Sequence, residues 1–180
     1  KYRKLGKKES EKVIIQIIDV LLDKSLPYSG EHRKKEWEKG WRQNLNEKDW
    51  EPRYFGKYKI NRRNGYFVEA LDENYERDTL YSLCSKVFKK YLKKVLNIYE
   101  FGCGTGHHLL RAGAINPKAH IFGLDWSPSS QKLVNSLGFP SAYFDFFQPN
   151  YSLELRPVSG IYTVAALEQT GENFKKFVRY

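Results

Sequence analysis

The chain has 180 residues, of which 41% are hydrophobic and 29% are charged, and its formal net charge is +10. This composition is typical of a soluble globular protein with one substantial core. The most apolar run, VIIQIIDVLL, is shorter than a bilayer and contains Gln16 and Asp19, so the sequence excludes it as a membrane-spanning helix.

The positive charge is concentrated in the first half of the chain. Residues 1–94 contain 24 Lys and Arg against 15 Asp and Glu, a net +9, which leaves +1 for residues 95–180. Such an excess attracts nucleic acid, anionic lipid or an acidic substrate, and a solvated helical surface explains it equally well. With two cysteines, Cys84 and Cys103, and no secretory signal, the expected compartment is the cytoplasm.

The first half, residues 1–94, is predicted to be a mainly helical cap or lid. Residues 9–25 predict one amphipathic helix, which a breaker at 26–30 ends. Residues 31–66 are basic and aromatic with poor periodicity, so short helices and ordered loops are expected there. Residues 73–94 place apolar side chains at helical spacing, which predicts a helix leading into a glycine-rich stretch.

From residue 95 onwards, short apolar strands alternate with helices. Strands are predicted at 95–101, 120–126, 141–147 and 160–167, and helices at 107–114 and 127–138. The second helix has Pro128 in its first turn and Gly138 at its end. This alternation predicts an α/β domain over residues 95–180 with a doubly wound, mostly parallel sheet.

Three glycines at alternate positions, Gly102, Gly104 and Gly106, follow the first of these strands. Glycine is needed where φ is positive or where a ligand approaches the backbone closely. The dinucleotide fingerprint G-x-G-x-x-G would need a third glycine at position 107, which is His107 here, so a nicotinamide dehydrogenase is disfavoured. Glu100, just before the turn, is a poor neighbour for pyrophosphate and suits a ligand that carries an amine and a sulfonium cation.

This stretch, YEFGCGTG, resembles the first motif of class I S-adenosylmethionine-dependent methyltransferases, in which an acid precedes three alternate glycines. The resemblance covers residues 95–175. It implies a Rossmann-like fold, S-adenosyl-L-methionine as cofactor, and cofactor contacts from Glu100, Gly102, Gly104 and Gly106. FGLDWSPSSQ together with ALEQ is also similar to a branch of proposed sugar O-methyltransferases. A tight strand–helix turn without a ligand is the alternative.

Two further acids follow the next two predicted strands. The resemblance implies that Asp125 accepts hydrogen bonds from both ribose hydroxyls and that Trp126 packs against adenine. The alternative is that Asp125 caps the next helix, a role that Ser127 fills equally well. It also implies that Asp145 accepts from the adenine amine while the backbone N–H of Phe146 meets a ring nitrogen; a turn-forming Asp is the alternative. Three acids at successive strand ends predict one shared crevice.

The fourth predicted strand resembles the family's fourth motif, which faces the transferred methyl and here ends at Glu168 and Gln169. Glu168 is the candidate base for an oxygen nucleophile, and a structural glutamate is the alternative. His107 and His108 lie in the glycine loop and the first helical turn, and one of them is expected to contact the cofactor through its backbone. No metal site is predicted, because no pair of His, Cys or Asp has suitable spacing.

Side chains of the first half are candidates for closing this crevice. Arg62 and Arg63 are hypothetical partners of the cofactor's carboxylate, with ordinary surface arginines as the alternative. Aromatic residues of the same half are expected to form a lid and a stacking wall, or else to pack a helical cap on the sheet. These aromatic residues are Trp41, Trp50, Tyr54, Phe55 and Tyr58.

The leading hypothesis is a methyltransferase that transfers a methyl group to an oxygen of a small molecule such as a sugar. The basic, aromatic first half keeps an RNA methyltransferase as an alternative, and a cofactor-binding partner subunit without catalysis is another. Domains of this family usually have seven strands, and this chain ends after its fourth predicted strand and helix. The resemblance therefore implies a sheet truncated at about strand four, with a C-terminal part that is missing or is replaced by a partner chain. No membrane insertion is expected.

Overall fold

The structure is a computed structural model, and it describes residues 1–23 and 29–179. The chain divides into two compact units, one comprising residues 1–27 and 53–84 and the other residues 28–52 and 85–180. The sequence division at residue 94 follows composition, whereas these units follow contacts and join segment 28–52 to the second half. In the described part of the chain, no helix has the length and apolar character to cross a bilayer.

The first unit contains a small antiparallel sheet in the order β1-β3-β2, which the sequence analysis did not predict. Its strands are β1 (Tyr2–Lys4), β2 (Ile60–Arg63) and β3 (Tyr66–Ala70). Asn64 and Gly65 join β2 to β3 with positive φ values of 47° and 82°, which suits a two-residue type I′ hairpin turn. The Asn-Gly pair was therefore the sequence signal for this hairpin.

Helix α1 spans Lys7–Leu22 and confirms most of the helix predicted over 9–25. The end of that prediction and most of the predicted breaker at 26–30 lie outside the described residues. None of the residues of α1 is buried, so the expected burial of one apolar face is not observed. Its exposed apolar side chains are Ile14, Ile15, Ile17, Ile18, Val20, Leu21 and Leu22.

The second unit is built on a parallel sheet in the order β6-β5-β4-β7. The fold is Rossmann-like, as predicted. The strands are β4 (Asn97–Phe101), β5 (His120–Leu124), β6 (Ser141–Ala142) and β7 (Ser159–Tyr162). The strand order reverses between β4 and β7, so the carboxyl ends of these two strands flank the topological switch point, where ligands bind in such sheets.

Five further helices complete the described elements. They are α2 (Lys34–Glu47), α3 (Tyr75–Tyr91), α4 (His107–Ile115), α5 (Pro128–Ser136) and α6 (Phe174–Val178), with 3-10 turns at Glu31–Arg33 and Leu167–Asn173. The predicted helices at 73–94, 107–114 and 127–138 correspond to α3, α4 and α5. Helix α2 lies in the stretch that was expected to hold only short helices and loops.

The core of the second unit lies around β4, all of whose residues are buried. Five aromatic and aliphatic side chains form its centre: Tyr99, Phe101, Leu124, Phe144 and Phe146. Of the strand predicted at 141–147, only Ser141–Ala142 pairs with the sheet. The chain leaves the sheet because Phe144 and Phe146 turn into this core, and the Asp145 side chain accepts the Phe147 N–H at 2.9 Å in a local turn.

Candidate functional site

The glycine turn after β4 is strongly bent. Gly102, Gly104 and Gly106 have φ values of 72°, 52° and 80°, in the left-handed region that glycine tolerates. A Cβ on Gly102 would lie 2.5 Å from the Cβ of Ala166, and one on Gly104 would lie 3.1 Å from the Trp41 ring. Side chains of Ala166 and Trp41 therefore pack closely against the turn at these two glycines.

Asp125 fixes the shape of this turn. One carboxylate oxygen accepts the Gly104 N–H at 2.9 Å and the other accepts the Ser127 N–H at 2.9 Å, and the residue is only 4% exposed. Burial raises the pKa of Asp125 to about 6. Ser127 caps α5 by accepting the Ser130 N–H, so the capping role falls to Ser127. The ribose role of Asp125 stays a prediction.

Glu100 lies next to the end of β4 and is 1% exposed. The hydroxyl of Tyr162, its register partner on β7, donates a hydrogen bond to its carboxylate at 3.2 Å. Burial raises the pKa of Glu100 well above its usual value, and the charge of Asp125 adds to that effect. A carboxyl group in this position takes its ionised form far more readily when a cation is beside it.

Asp145 follows β6, is 2% exposed and pairs with a lysine. The ammonium of Lys34 forms an ion pair with its carboxylate and also contacts Glu31 at 3.0 Å. The same ammonium lies 5.0 Å from the ring centroid of Phe147 and 5.6 Å from that of Trp126. Asp145 thus accepts N–H donors beside two aromatic rings.

Helix α2 lies across all three segments that carry these acids. Lys34, Glu38 and Trp41 follow one another at helical spacing on one face. Lys34 reaches Asp145, the carboxylate of Glu38 accepts the hydroxyl protons of Ser127 at 2.5 Å and Ser129 at 2.7 Å, and Trp41 covers Gly104. Trp41 was predicted from the sequence as a candidate, whereas Lys34 and Glu38 were not. Their i, i+4, i+7 spacing was the available signal, hidden by charged residues on every side of the helix.

The other residues that were predicted to bind the cofactor or to act as a catalytic base lie in different parts of the second unit. Phe146 is buried in the core, and its ring lies over Gly102. Glu168 is exposed in the 3-10 turn after β7, while Gln169 beside it accepts a hydrogen bond from Arg33 at 3.1 Å. The roles proposed for Phe146 and Glu168 stay predictions.

The histidines of the loop lie inside the protein. His107 hydrogen-bonds to Thr105 at 3.0 Å, and burial lowers the pKa of His108 to about 4. In residues 1–23 and 29–179, no three His, Cys, Asp or Glu side chains form a group that could hold a metal ion.

The candidate lid residues fall into different units. Trp41 and Trp50 belong to the second unit, where the Trp50 Nε1–H donates to Ser136 at 3.2 Å. Arg63 belongs to the first unit and donates to the Tyr75 hydroxyl at 3.0 Å. The remaining candidates of the first unit are Tyr54, Phe55, Tyr58 and Arg62. The lid and carboxylate roles of these first-unit residues stay predictions.

No protein-family model and no curated protein matches this chain. Among solved structures, it is similar to the plantazolicin methyltransferase BpumL in complex with SAH (TM-score 0.47, 18% identity, 83% of this chain and 55% of that one). It is also similar to a precorrin-6y C5,15-methyltransferase from Geobacter metallireducens (TM-score 0.38, 15% identity, 54% of this chain and 55% of that one).

A third similar structure is a proposed O-methyltransferase from Nostoc punctiforme (TM-score 0.33, 14% identity, 44% of this chain and 27% of that one). Each of the three is a methyltransferase by name. The chain spans between 27% and 55% of the length of these structures.

Proposed function

We propose that this protein binds S-adenosylmethionine and transfers its methyl group to an oxygen of a small molecule such as a sugar. One observation carries the proposal: a glycine turn with three positive φ values leaves a parallel strand beside three buried carboxyl groups. These are Glu100, Asp125 and Asp145, which lie next to or after the carboxyl ends of β4, β5 and β6. A nucleoside that carries an amine and a cationic side chain has the complementary groups.

The residues present suit such a ligand by their chemistry. Glu100 offers a buried carboxyl group that gains from a nearby cation, and Asp145 already accepts N–H donors from an ammonium beside Trp126. Asp125 holds the glycine turn in its bent shape. S-adenosylmethionine, when bound, supplies an already activated methyl group, so the protein contributes mainly alignment and exclusion of water. Glu168 remains our candidate base for the acceptor hydroxyl.

Binding calorimetry on the full chain tests the proposal directly. We expect S-adenosylmethionine and S-adenosylhomocysteine to bind and NAD to give no heat beyond dilution. Methylation of a small-molecule fraction and of RNA from a cell extract then separates the two acceptor classes. Binding of NAD without binding of the methyl donor would refute the assignment, and salt-sensitive methylation of RNA alone would replace the small-molecule acceptor.

The raised pKa of Glu100 predicts a proton release when the cationic ligand binds. The free protein holds the proton to higher pH than a usual glutamate does, and the ligand's cation favours the ionised form. Affinity is therefore expected to increase with pH until the pKa of the free protein is passed, and to be constant above it. Calorimetry in two buffers of different ionisation enthalpy measures the released proton.

Glu100→Gln is the variant that checks this linkage, and Glu154→Gln, at an exposed position, is its control. We expect Glu100→Gln to bind more weakly and to release no proton, whereas Glu154→Gln behaves as the wild type. Equal proton release in both variants would remove Glu100 from the site.

A further inference from the structure

We propose that helix α2 is a displaceable cover of the crevice at the carboxyl ends of β4, β5 and β6. In this proposal, the Lys34 ammonium occupies the position at Asp145 where the ligand's amine would bind. This inference rests on the proposed function. It makes the structure a closed state of the protein, in which one side chain of the chain itself competes with the ligand.

Helix α2 contacts all three segments that carry the proposed site residues. One face of the helix supplies a separate contact to each segment that carries a site residue. Lys34 binds the acid after β6, Glu38 binds the loop after β5, and Trp41 lies on the turn after β4. Asp125 and Asp145 are each at most 4% exposed although both follow strands at the edge where ligands bind.

At Asp145, the lysine ammonium and the ligand's amine would compete for the same carboxylate. Its Oδ2 accepts from Lys34, and its Oδ1 accepts the Phe147 N–H. An exocyclic amine on an aromatic base presents the same N–H donors, with a flat ring that suits Trp126 and Phe147. Pairing with Asp145 and Glu31 raises the pKa of Lys34 although burial opposes it, so the lysine stays charged and remains an effective competitor.

The two ends of α2 are held differently, which explains how the cover could open. Near the C-terminal end, the buried Asn44 amide donates to the carbonyls of Asp49 at 2.8 Å and Glu51 at 3.0 Å, and Trp50 is tied to Ser136 on α5. Towards the N-terminal end, Lys34 and Glu38 make polar contacts that water or a ligand can replace, and both side chains are partly exposed. The preceding turn is held by hydrogen bonds to Gln169, from the Gly30 N–H at 2.8 Å and from Arg33 at 3.1 Å, and these are also polar contacts that water can replace. The helix can therefore swing outwards about its C-terminal end.

Lys34→Met tests the competition, and Lys35→Met, at the exposed neighbouring position on the same helix, is its matched control. The apparent affinity of a ligand is its intrinsic affinity multiplied by the fraction of protein in which the site is uncovered. We expect S-adenosylmethionine to bind Lys34→Met about tenfold more tightly than the wild type, and Lys35→Met to match the wild type. Thermal unfolding of each variant verifies that it is folded.

Hydrogen exchange of the unsubstituted protein gives a second measurement that needs no variant. The backbone amides of residues 34–47 are expected to exchange faster when S-adenosylmethionine is bound, because the helix has been displaced. If α2 stayed in place as part of the binding site, the same amides would instead exchange more slowly when the ligand is bound.

The outcomes separate the two proposals. If the wild type binds S-adenosylmethionine but Lys34→Met binds it equally or less tightly, or if exchange in 34–47 slows, the cover is refuted and the function stands. If no variant and no wild-type protein binds it, the proposed function fails and this inference fails with it.

Discussion

Replacing Gly102 with alanine is expected to lower the free energy of unfolding of the second unit by about 3 kcal/mol or more. Gly102 has a φ of 72°, and an added Cβ would lie 2.5 Å from the Cβ of Ala166 and 3.0 Å from the ring of Phe146. The Ala166 Cβ has no rotamer to change, so the backbone itself must shift. Chemical denaturation followed by circular dichroism measures the loss.

Gly138→Ala separates the clash from the backbone strain. Gly138 has a similar φ of 85°, but no atom lies within 4 Å of the position of an added Cβ. Its replacement should therefore cost only the strain of a left-handed alanine, about 1 kcal/mol. If Gly102→Ala cost no more than Gly138→Ala, the close packing behind the turn would not be what constrains this position.

The parallel sheet and its helices were predictable because the residues that favour each element locally are also the ones that the fold buries or places at helix ends. Strand β4 was recognisable from its apolar residues Ile98, Tyr99 and Phe101, and all five of its residues are buried, as is usual for a central parallel strand. Ser127 and Pro128 fixed the start of α5, and Gly138, with its positive φ, followed its end. The order of strands and helices was enough to predict a doubly wound, mostly parallel sheet.

Helix α2 could not be predicted in the same way. Its inner face carries a lysine and a glutamate, which an analysis of apolar periodicity assigns to the surface. Lys34 and Glu38 lie inward only because Asp145 and the α5 hydroxyl groups, more than 80 residues away in sequence, provide partners for them. Such a face is recognisable once the sheet has brought those partners together.

For the candidate site, too, the residues could be identified from the sequence, whereas their tertiary contacts could not. The sequence identified Glu100, Asp125 and Asp145, because Glu100 directly precedes the glycine turn and the other two acids come at the ends of recognisable apolar runs. It did not predict that Asp125 uses both oxygens on backbone N–H groups, since one of those belongs to Gly104 on a different strand's loop. That bond depends on the pairing of β4 with β5.

Asp125→Ala is expected to lower the free energy of unfolding by about 2–5 kcal/mol, because it leaves two buried N–H donors without an acceptor. Those donors are the N–H groups of Gly104 and Ser127. Asp125→Asn keeps one acceptor oxygen and should lose less. Asp78→Asn, at an exposed position, is the control and should stay within about 0.5 kcal/mol of the wild type.

The pH dependence of this residue has a definite sign. Burial raises the pKa of Asp125 from 3.8 to about 6, so between these values the folded state binds the proton more tightly than the unfolded state does. The contribution of Asp125 to the free energy of unfolding must then fall as the pH rises from about 4 to about 6, by an amount on the order of 3 kcal/mol. Asparagine does not titrate, so the stability difference between wild type and Asp125→Asn should shrink over this interval and be constant above it. A difference that stays the same at every pH would mean that Asp125 has the same pKa in the folded and unfolded states, and that its two backbone N–H bonds compensate fully for its burial.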